Sequence, residues 1–304
     1  IATDKQIAEA KQKEILEKNE LGEDEVKIKA SKEQMAKVDE EGVTFKSYID
    51  GSMHRFTPEI SMQIQHSLGA DIFFAFDECT SPLATREYQI SAMERTHRWA
   101  SRCVAEHKKL GVSSATGQQQ ALFAVVQGGG YEDLRKLSAE TLSAMDFDGF
   151  GIGGSFTKED MDKTVKSVTE VLPPNKPRHL LGIGEPIDIF LGVEYGIDTF
   201  DCVIPTRIGR NGNIFTPTGK INLFNAKYKT DFNKITDDEK SPLYPYTYAY
   251  LAHLFRSEEM LGPILTSQHN LYFLISLTEK IRQSIIENNF FEFKKDFCDK
   301  FYKV

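Results

Sequence analysis

The sequence predicts a parallel α/β fold of the (β/α) barrel type followed by a helical C-terminal region, and three observations carry that prediction. Five short apolar runs recur (71–76, 121–126, 150–154, 179–184 and 199–203), and the first four are each followed by an amphipathic helical stretch. Continuous apolar strands alternating with helices mean parallel strands covered on both faces. Polar residues gather where the runs end, at Asp77, Gln127, Gly153-Gly154, Gly182-Gly184 and Asp201, and in parallel α/β folds that edge holds the active site. No glycine-rich phosphate loop follows the first run, so a barrel is favoured over a doubly wound sheet.

Taken in order, residues 1–41 are rich in Lys and Glu and contain no aromatic residue, the composition of a charged spacer or solvated arm. Residues 42–49 read as a strand closed by the turn Asp50-Gly51-Ser52. Thr57 is placed to cap a helix running to about Leu68, with Pro58 at its first position. The first apolar run ends in Asp77-Glu78-Cys79 and leads to a helix over about 86–109. The second ends in Gln127 and three glycines before a helix to about Met145. Helices over about 158–172 and 186–195 follow the third and fourth runs. Beyond Val203 the texture changes: residues 207–229 carry Arg207, Arg210, Lys220, Lys227 and Lys229 and no acidic residue. Three helices are expected over 246–260, 268–288 and 291–302. Five clear strands, with 42–49 as a sixth candidate, fall short of a full barrel, so a missing N-terminal portion is expected.

Composition narrows the function classes. With 37 Lys and Arg against 45 Asp and Glu, the net charge is −8, which excludes a broadly basic nucleic-acid coat but leaves room for the local positive patch at 207–229. No apolar run approaches the roughly 18–20 residues that span a bilayer, so no membrane association is expected. The 4 cysteines, Cys79, Cys103, Cys202 and Cys298, are far apart, which argues for reduced thiols in a cytoplasmic chain rather than a disulfide framework.

The strand-end residues suggest a chemistry. An ionised Asp accepts from a ring N–H and an exocyclic amine, while a Gln amide and a backbone N–H donate to a carbonyl. Guanine carries that set on neighbouring edges. A second carboxylate could attack an electrophilic carbon and form a covalent intermediate. The basic stretch after Asp201 suits a phosphodiester backbone.

Those residues lie in longer motifs. Residues 200–207 (Phe-Asp-Cys-Val-Ile-Pro-Thr-Arg), continuing to Arg210-Asn211-Gly212, resemble the signature of the tRNA-guanine transglycosylases. So do Ala75-Phe76-Asp77-Glu78-Cys79-Thr80, Val126-Gln127-Gly128, Gly153-Gly154, Gly182-Ile183-Gly184, residues 42–47, Asp50-Gly51-Ser52 and Asn225-Ala226-Lys227-Tyr228. The chain is identified on these as a member of that family, over about residues 40–290. The resemblance implies a TIM-like (β/α)8 barrel pentosyltransferase that exchanges the wobble guanine of a tRNA anticodon for a 7-deazaguanine, in queuosine biosynthesis. By matching positions, Asp201 is the nucleophile, Asp77 reads the guanine edge, Gln127 and the Gly153-Gly154 backbone hold the carbonyl side, and Cys79 lines the pocket. Arg207 and Arg210, with Lys220 and Lys227 in the basic stretch, hold tRNA. No cofactor is needed, because one glycosidic bond replaces another.

Departures from the family are equally legible. The family's general acid/base Asp, in an Asp-Ser-Gly-Gly-aromatic-Gln motif, has no match before Gly42, which again points to a missing N-terminal portion. Where the family carries three zinc-binding cysteines, Asp238, Lys240 and Leu243 stand, and only His269 remains. Zinc is therefore expected to be absent, with Leu243, Tyr244, Tyr246 and Tyr248 packing the subdomain instead. The expected domains are a spacer (1–41), a barrel catalytic domain (42–235) and a helical subdomain with a degenerate zinc site packed on the barrel (236–304). Ser155 and Phe156 alter the loop that meets the incoming base. The remaining pattern favours the bacterial substrate 7-aminomethyl-7-deazaguanine (preQ1), with Glu159 near its cation, over free queuine. A homodimer is the expected assembly, and a non-catalytic tRNA-binding subunit of the same fold is the competing reading.

Overall fold

The computed structural model describes residues 36–111, 117–153 and 161–302. The chain divides into two compact units, Ile1–Leu181 with Tyr195–Thr199, and Gly182–Glu194 with Phe200–Val304. Contacts thus part elsewhere than between residues 235 and 236. The reason lies in the second unit, where residues before and after that point are tied together by buried side chains.

The first unit opens with an antiparallel sheet of β1 (Ala36–Asp39), β2 (Gly42–Lys46) and β3 (Met53–Phe56), ordered β1-β2-β3. Asp39 makes the first turn by accepting the N–H groups of Glu41 and Gly42 at 2.9 and 3.1 Å. It also receives both arms of Arg55 from β3, at 2.9 and 2.6 Å. A Cβ on Gly42 would lie 2.1 Å from the Phe56 carbonyl oxygen, so only glycine lets β2 approach there. This corrects two expectations. The strand at 42–49 belongs to a hairpin sheet and not to the barrel, and the charged segment 1–41 ends in a strand. In both cases local alternation was visible but the pairing partner was not.

The α/β part follows. Thr57 caps α1 (Pro58–Leu68) by accepting the Ile60 N–H, and Gly69 closes it in the left-handed conformation. Then come β4 (Ile72–Phe74), α2 (Arg86–Leu110), β5 (Ala121–Val126), α3 (Glu132–Ser143), β6 (Gly149–Ile152), α4 (Met161–Thr169), β7 (Arg178–Leu180), α5 (Pro186–Glu194) and β8 (Thr199–Phe200). The strands form one parallel sheet of 5 in the order β4-β5-β6-β7-β8, the pattern of half a (β/α)8 barrel. Register pairs Ile72 with Ala121, Phe123 with Gly149 and Phe150 with Arg178. Helix α2 contributes Trp99, fully buried, which stacks on Phe76 at 5.0 Å and donates to the Glu40 carbonyl at 2.7 Å. Gly149 leaves room for the Phe123 ring, which a Cβ would meet at 2.4 Å.

The second unit contains α5, α6 (Ile204–Arg210), the hairpin β9 (Asn213–Thr216) and β10 (Gly219–Asn222), a 3₁₀ turn at Ala226–Thr230, α7 (Tyr248–Arg256), α8 (Leu261–Ile286) and α9 (Phe290–Tyr302). Helix α8 begins seven residues earlier than the sequence suggested. Gly262 and Pro263 lie in its first turn, where backbone N–H groups have no intrahelical acceptor and proline costs nothing. From α8, fully buried Asn270 donates to the carbonyls of Pro205 and Asn213 at 3.0 and 2.9 Å and accepts the Phe215 N–H at 2.9 Å. Thr266 reaches the Gly209 carbonyl at 2.9 Å. These bonds fix α6 and β9 on α8. Two apolar clusters complete the unit, one around Ile214, Leu243, Leu251 and Leu265, the other around Phe190, Phe215, Leu277 and Phe301. No helix of the described residues is long and apolar enough to cross a membrane.

Candidate functional site

In the first unit, the C-terminal edge of the sheet brings Asp77 and Gln127 together. Gln127 leaves the end of β5, a strand so apolar that only its terminus can carry a polar group. Its Nε2 donates to Asp77 Oδ2 at 2.6 Å. Its Oε1 is buried and has no hydrogen-bond partner among the described residues, an arrangement that normally costs about 1–3 kcal/mol. The amide expected to face a carbonyl is thus turned to the Asp77 carboxylate. Asp77 keeps some solvent contact, but desolvation by the surrounding protein pushes its carboxyl up to about 6, against the opposing hydrogen bond from Gln127.

The neighbouring residue is held for a different purpose. Glu78 is buried, takes a guanidinium contact from Arg95 and accepts the Tyr88 hydroxyl at 2.7 Å, while its N–H donates to Thr96 at 3.1 Å. That network anchors the Asp77–Cys79 segment to α2. Cys79 is exposed and forms no disulfide. Gly153, at the end of β6, is fitted against β5: a Cβ there would meet Val125 at 2.8 Å and lie 3.6 Å from Gln127 Nε2. Gly154 and Glu159 lie outside the described residues.

Two residues of α3 escaped the sequence analysis. Arg135 is fully buried and donates to the carbonyls of Gly129 at 2.8 Å, Val126 at 2.9 Å and Gly153. Burial pushes its guanidinium down to about 9. Ser138 accepts the Gln127 N–H at 3.3 Å and lies 2.9 Å from His97 Nε2. A signal existed: Arg135 sits on the stripe of Leu134, Ser138, Ala139 and Leu142, the buried face of α3.

In the second unit Asp201 is exposed directly after β8 and accepts the Gly182 N–H at 2.8 Å. Cys202 follows, its sulfur accepting the Ile204 N–H at 3.3 Å and its thiol pushed up by burial. Gly184 permits this turn, since a Cβ there would fall 2.4 Å from Cys202 Cβ. Arg207 and Arg210 project, exposed, from α6, one turn apart. Lys220 on β10 lies 4.0 Å from Glu185, and Lys227 packs 4.8 Å over the Tyr228 ring.

The positions matched to zinc ligands do not fit the ion. Leu243 is fully buried in an apolar cluster, Lys240 is exposed, and Asp238 accepts the Tyr272 hydroxyl at 2.6 Å. His269 is buried and held neutral by desolvation; its Nε2 donates to the Phe215 carbonyl at 2.8 Å and its Nδ1 faces Ser241 Oγ at 2.9 Å. Both ring nitrogens are engaged. Among the described residues no group of three His, Cys, Asp or Glu could hold a metal. A cavity of about 260 Å³ lies here, lined by Phe215, Ile235, His269, Tyr272 and Phe297, and holds none of the strand-end residues.

A family model described as queuine tRNA-ribosyltransferase matches residues 18–303. A queuine tRNA-ribosyltransferase of Herpetosiphon aurantiacus is 47% identical over 273 residues, covering 88% of this chain and 68% of the relative. That of Fusobacterium nucleatum is 47% identical over 275 residues (88% and 71%), and that of Desulforamulus reducens 46% over 270 residues (87% and 70%).

Proposed function

Because the chain belongs to the queuine tRNA-ribosyltransferase family, we propose that it exchanges the guanine of a tRNA anticodon for a 7-deazaguanine by double displacement on Asp201. The Asp201 carboxylate attacks C1′ of the target ribose as the C1′–N9 bond breaks, and the electron pair leaves with guanine, which takes up a proton. The incoming base then attacks C1′ through its own ring nitrogen, loses a proton, and the carboxylate departs. Atoms and charge balance without a redox or nucleotide cofactor. The Gly182 N–H donates to Asp201 Oδ1 and helps to orient the carboxylate.

The observation that carries the base-reading half is the Asp77–Gln127 pair. A guanine ring N–H and amine donate to ionised Asp77 and release Gln127 Nε2, which then donates to the base carbonyl. The Asp77 carboxylate thereby accepts two donors from the base in place of one neutral amide. Gly153 brings backbone to the same edge, and Cys79 borders it. Arg207, Arg210, Lys220 and Lys227 contact phosphates beside the flipped nucleotide. The incoming base is 7-aminomethyl-7-deazaguanine, with Glu159 available to its ammonium group. The active assembly is a homodimer that carries no zinc, Ser241 and His269 replacing metal bonds with hydrogen bonds.

Labelled guanine supplied with an anticodon stem-loop tests this reading. Incorporation that disappears with Asp201→Ala, while stem-loop binding persists, is expected. Incorporation that survives Asp201→Ala would overturn the nucleophile assignment, and equal exchange into free guanosine would overturn the tRNA assignment. Chelator treatment is expected to leave the unfolding midpoint unchanged; a fall would overturn the zinc-free reading.

A further inference from the structure

Three backbone groups of the turn that carries Gln127 are fastened to side chains of α3. Arg135 takes the carbonyl of Val126, the residue before Gln127, and that of Gly129, two residues after it. Ser138, one turn along α3, takes the N–H of Gln127 itself. Gly128 adopts φ +133°, and a Cβ on it would lie 2.9 Å from the Arg135 nitrogen, so the turn is pressed onto the helix backbone. The same guanidinium also takes the carbonyl of Gly153, where β6 ends. A guanidinium is planar and offers its donors in a fixed fork, so carbonyls bound to it are fixed relative to one another. A lysine keeps the charge and loses that fork.

Burying a charge is costly, and here three backbone carbonyls accept from it. Helix–sheet packing alone would be served as well by an apolar side chain. What the arginine adds is the relative position of two strand ends, β5 with Gln127 and β6 with Gly153.

We infer that Arg135, assisted by Ser138, is the positioning residue of the base site: it holds the Gln127 backbone so that the side-chain amide meets Asp77 and the purine edge. The inference rests on the proposed contact between Gln127 and the base. Fixing a donor before the ligand arrives spares ordering entropy on binding, and geometry set by a supporting layer is what a site loses when that layer is loosened.

The test is a double-mutant cycle on equilibrium affinity for free guanine, measured calorimetrically with the full chain and independent of turnover. Gln127→Ala and Arg135→Lys are each expected to weaken guanine binding about tenfold, the scale of one lost hydrogen bond to a buried partner. The double variant is expected to bind no more weakly than either single one, because Arg135 acts through Gln127. Stem-loop affinity is expected to stay unchanged. Unaltered guanine affinity in folded Arg135→Lys, or losses that multiply fully in the double variant, would overturn the inference. Unaltered affinity in Gln127→Ala alone would instead overturn the base-reading assignment beneath it. Should Arg135→Lys fail to fold, Ser138→Ala carries the same cycle, with an expected loss of about threefold in the wild-type background and none in the Gln127→Ala background.

Discussion

Asp77 and Asp201 both follow strands of one parallel sheet, yet the two regions hold their carboxylates in opposite ways. Asp77 is enclosed, hydrogen-bonded to a buried amide, and raised to about 6 by desolvation. Asp201 is exposed and carries one backbone N–H on one oxygen. The difference matches the two tasks proposed for them. A carboxylate that reads a base gains from a dry surround that sharpens hydrogen bonding. A nucleophile that must reach C1′ of a large substrate has to be open to it. Enclosure carries a stability cost that an exposed group avoids.

Four expected outcomes sharpen or break that contrast. The largest is on turnover: Asp201→Asn is expected to lower guanine exchange by at least about 1,000-fold, the range typical for removing a nucleophile, while guanine affinity holds. Exchange measured beside calorimetric binding separates the two, and a parallel fall in affinity would break the contrast.

Next comes Asp77. The carboxylate must be ionised to accept two N–H donors, so guanine affinity is expected to fall about tenfold per unit as pH drops below about 6. Asp77→Asn is expected to bind about 100-fold more weakly at pH 7.5, the scale of two lost charge-assisted bonds, and to lose that pH dependence. Binding titrations from pH 5 to about 8 check both, and a pH profile that persists in Asp77→Asn would assign it to another group.

Stability should move the other way. Because the folded value of Asp77 lies above the ordinary carboxylate value of 3.8, the folded state holds its proton more tightly. Its contribution to stability is therefore greatest at low pH and falls as pH rises from about 4 to 6. Asp77→Asn is expected to stabilise the protein at pH 7.5 by at most about 3 kcal/mol, with the gain vanishing near pH 4. Denaturant unfolding at the two pH values reads this. Asp201→Asn, at an exposed position, is expected to leave the midpoint where it was.

The smallest effect concerns tRNA. Arg207→Ala and Arg210→Ala are each expected to weaken stem-loop binding a fewfold and to reduce the salt slope by about 1, without changing guanine affinity. A change in guanine affinity would show that the exposed region and the base-reading region are not separate in function.

Much of this was written locally. Thr57, Pro58 and Gly69 bound α1 because capping chemistry acts within a few residues. The run at 121–126 became β5, and the run that begins at Phe150 lies in β6 (Gly149–Ile152), because a strand covered on both faces must be apolar throughout. Asp77, Gln127 and Asp201 were legible as candidate site residues because a polar group on such a strand can stand only at its end. The resemblance added the roles expected of them and the match of His269 to a zinc-ligand position; in the structure His269 bonds to Ser241 and Phe215.

Tertiary structure decided the rest. Residues 42–46 pair with 36–39 and 53–56 and not with the barrel, because alternation fixes which face a strand buries but not which edge it joins. Arg135 lies on the apolar stripe of α3, but what it holds was not legible: the carbonyls of Val126, Gly129 and Gly153 converge on it only in the folded chain. The elevation of Asp77 likewise depends on what encloses it. Periodicity and capping are properties of neighbouring residues, whereas burial and the partners of a charge are set by residues far apart in the chain. The sequence therefore determined the elements and the residue types at their ends, and folding determined which of those residues are enclosed, held or left open.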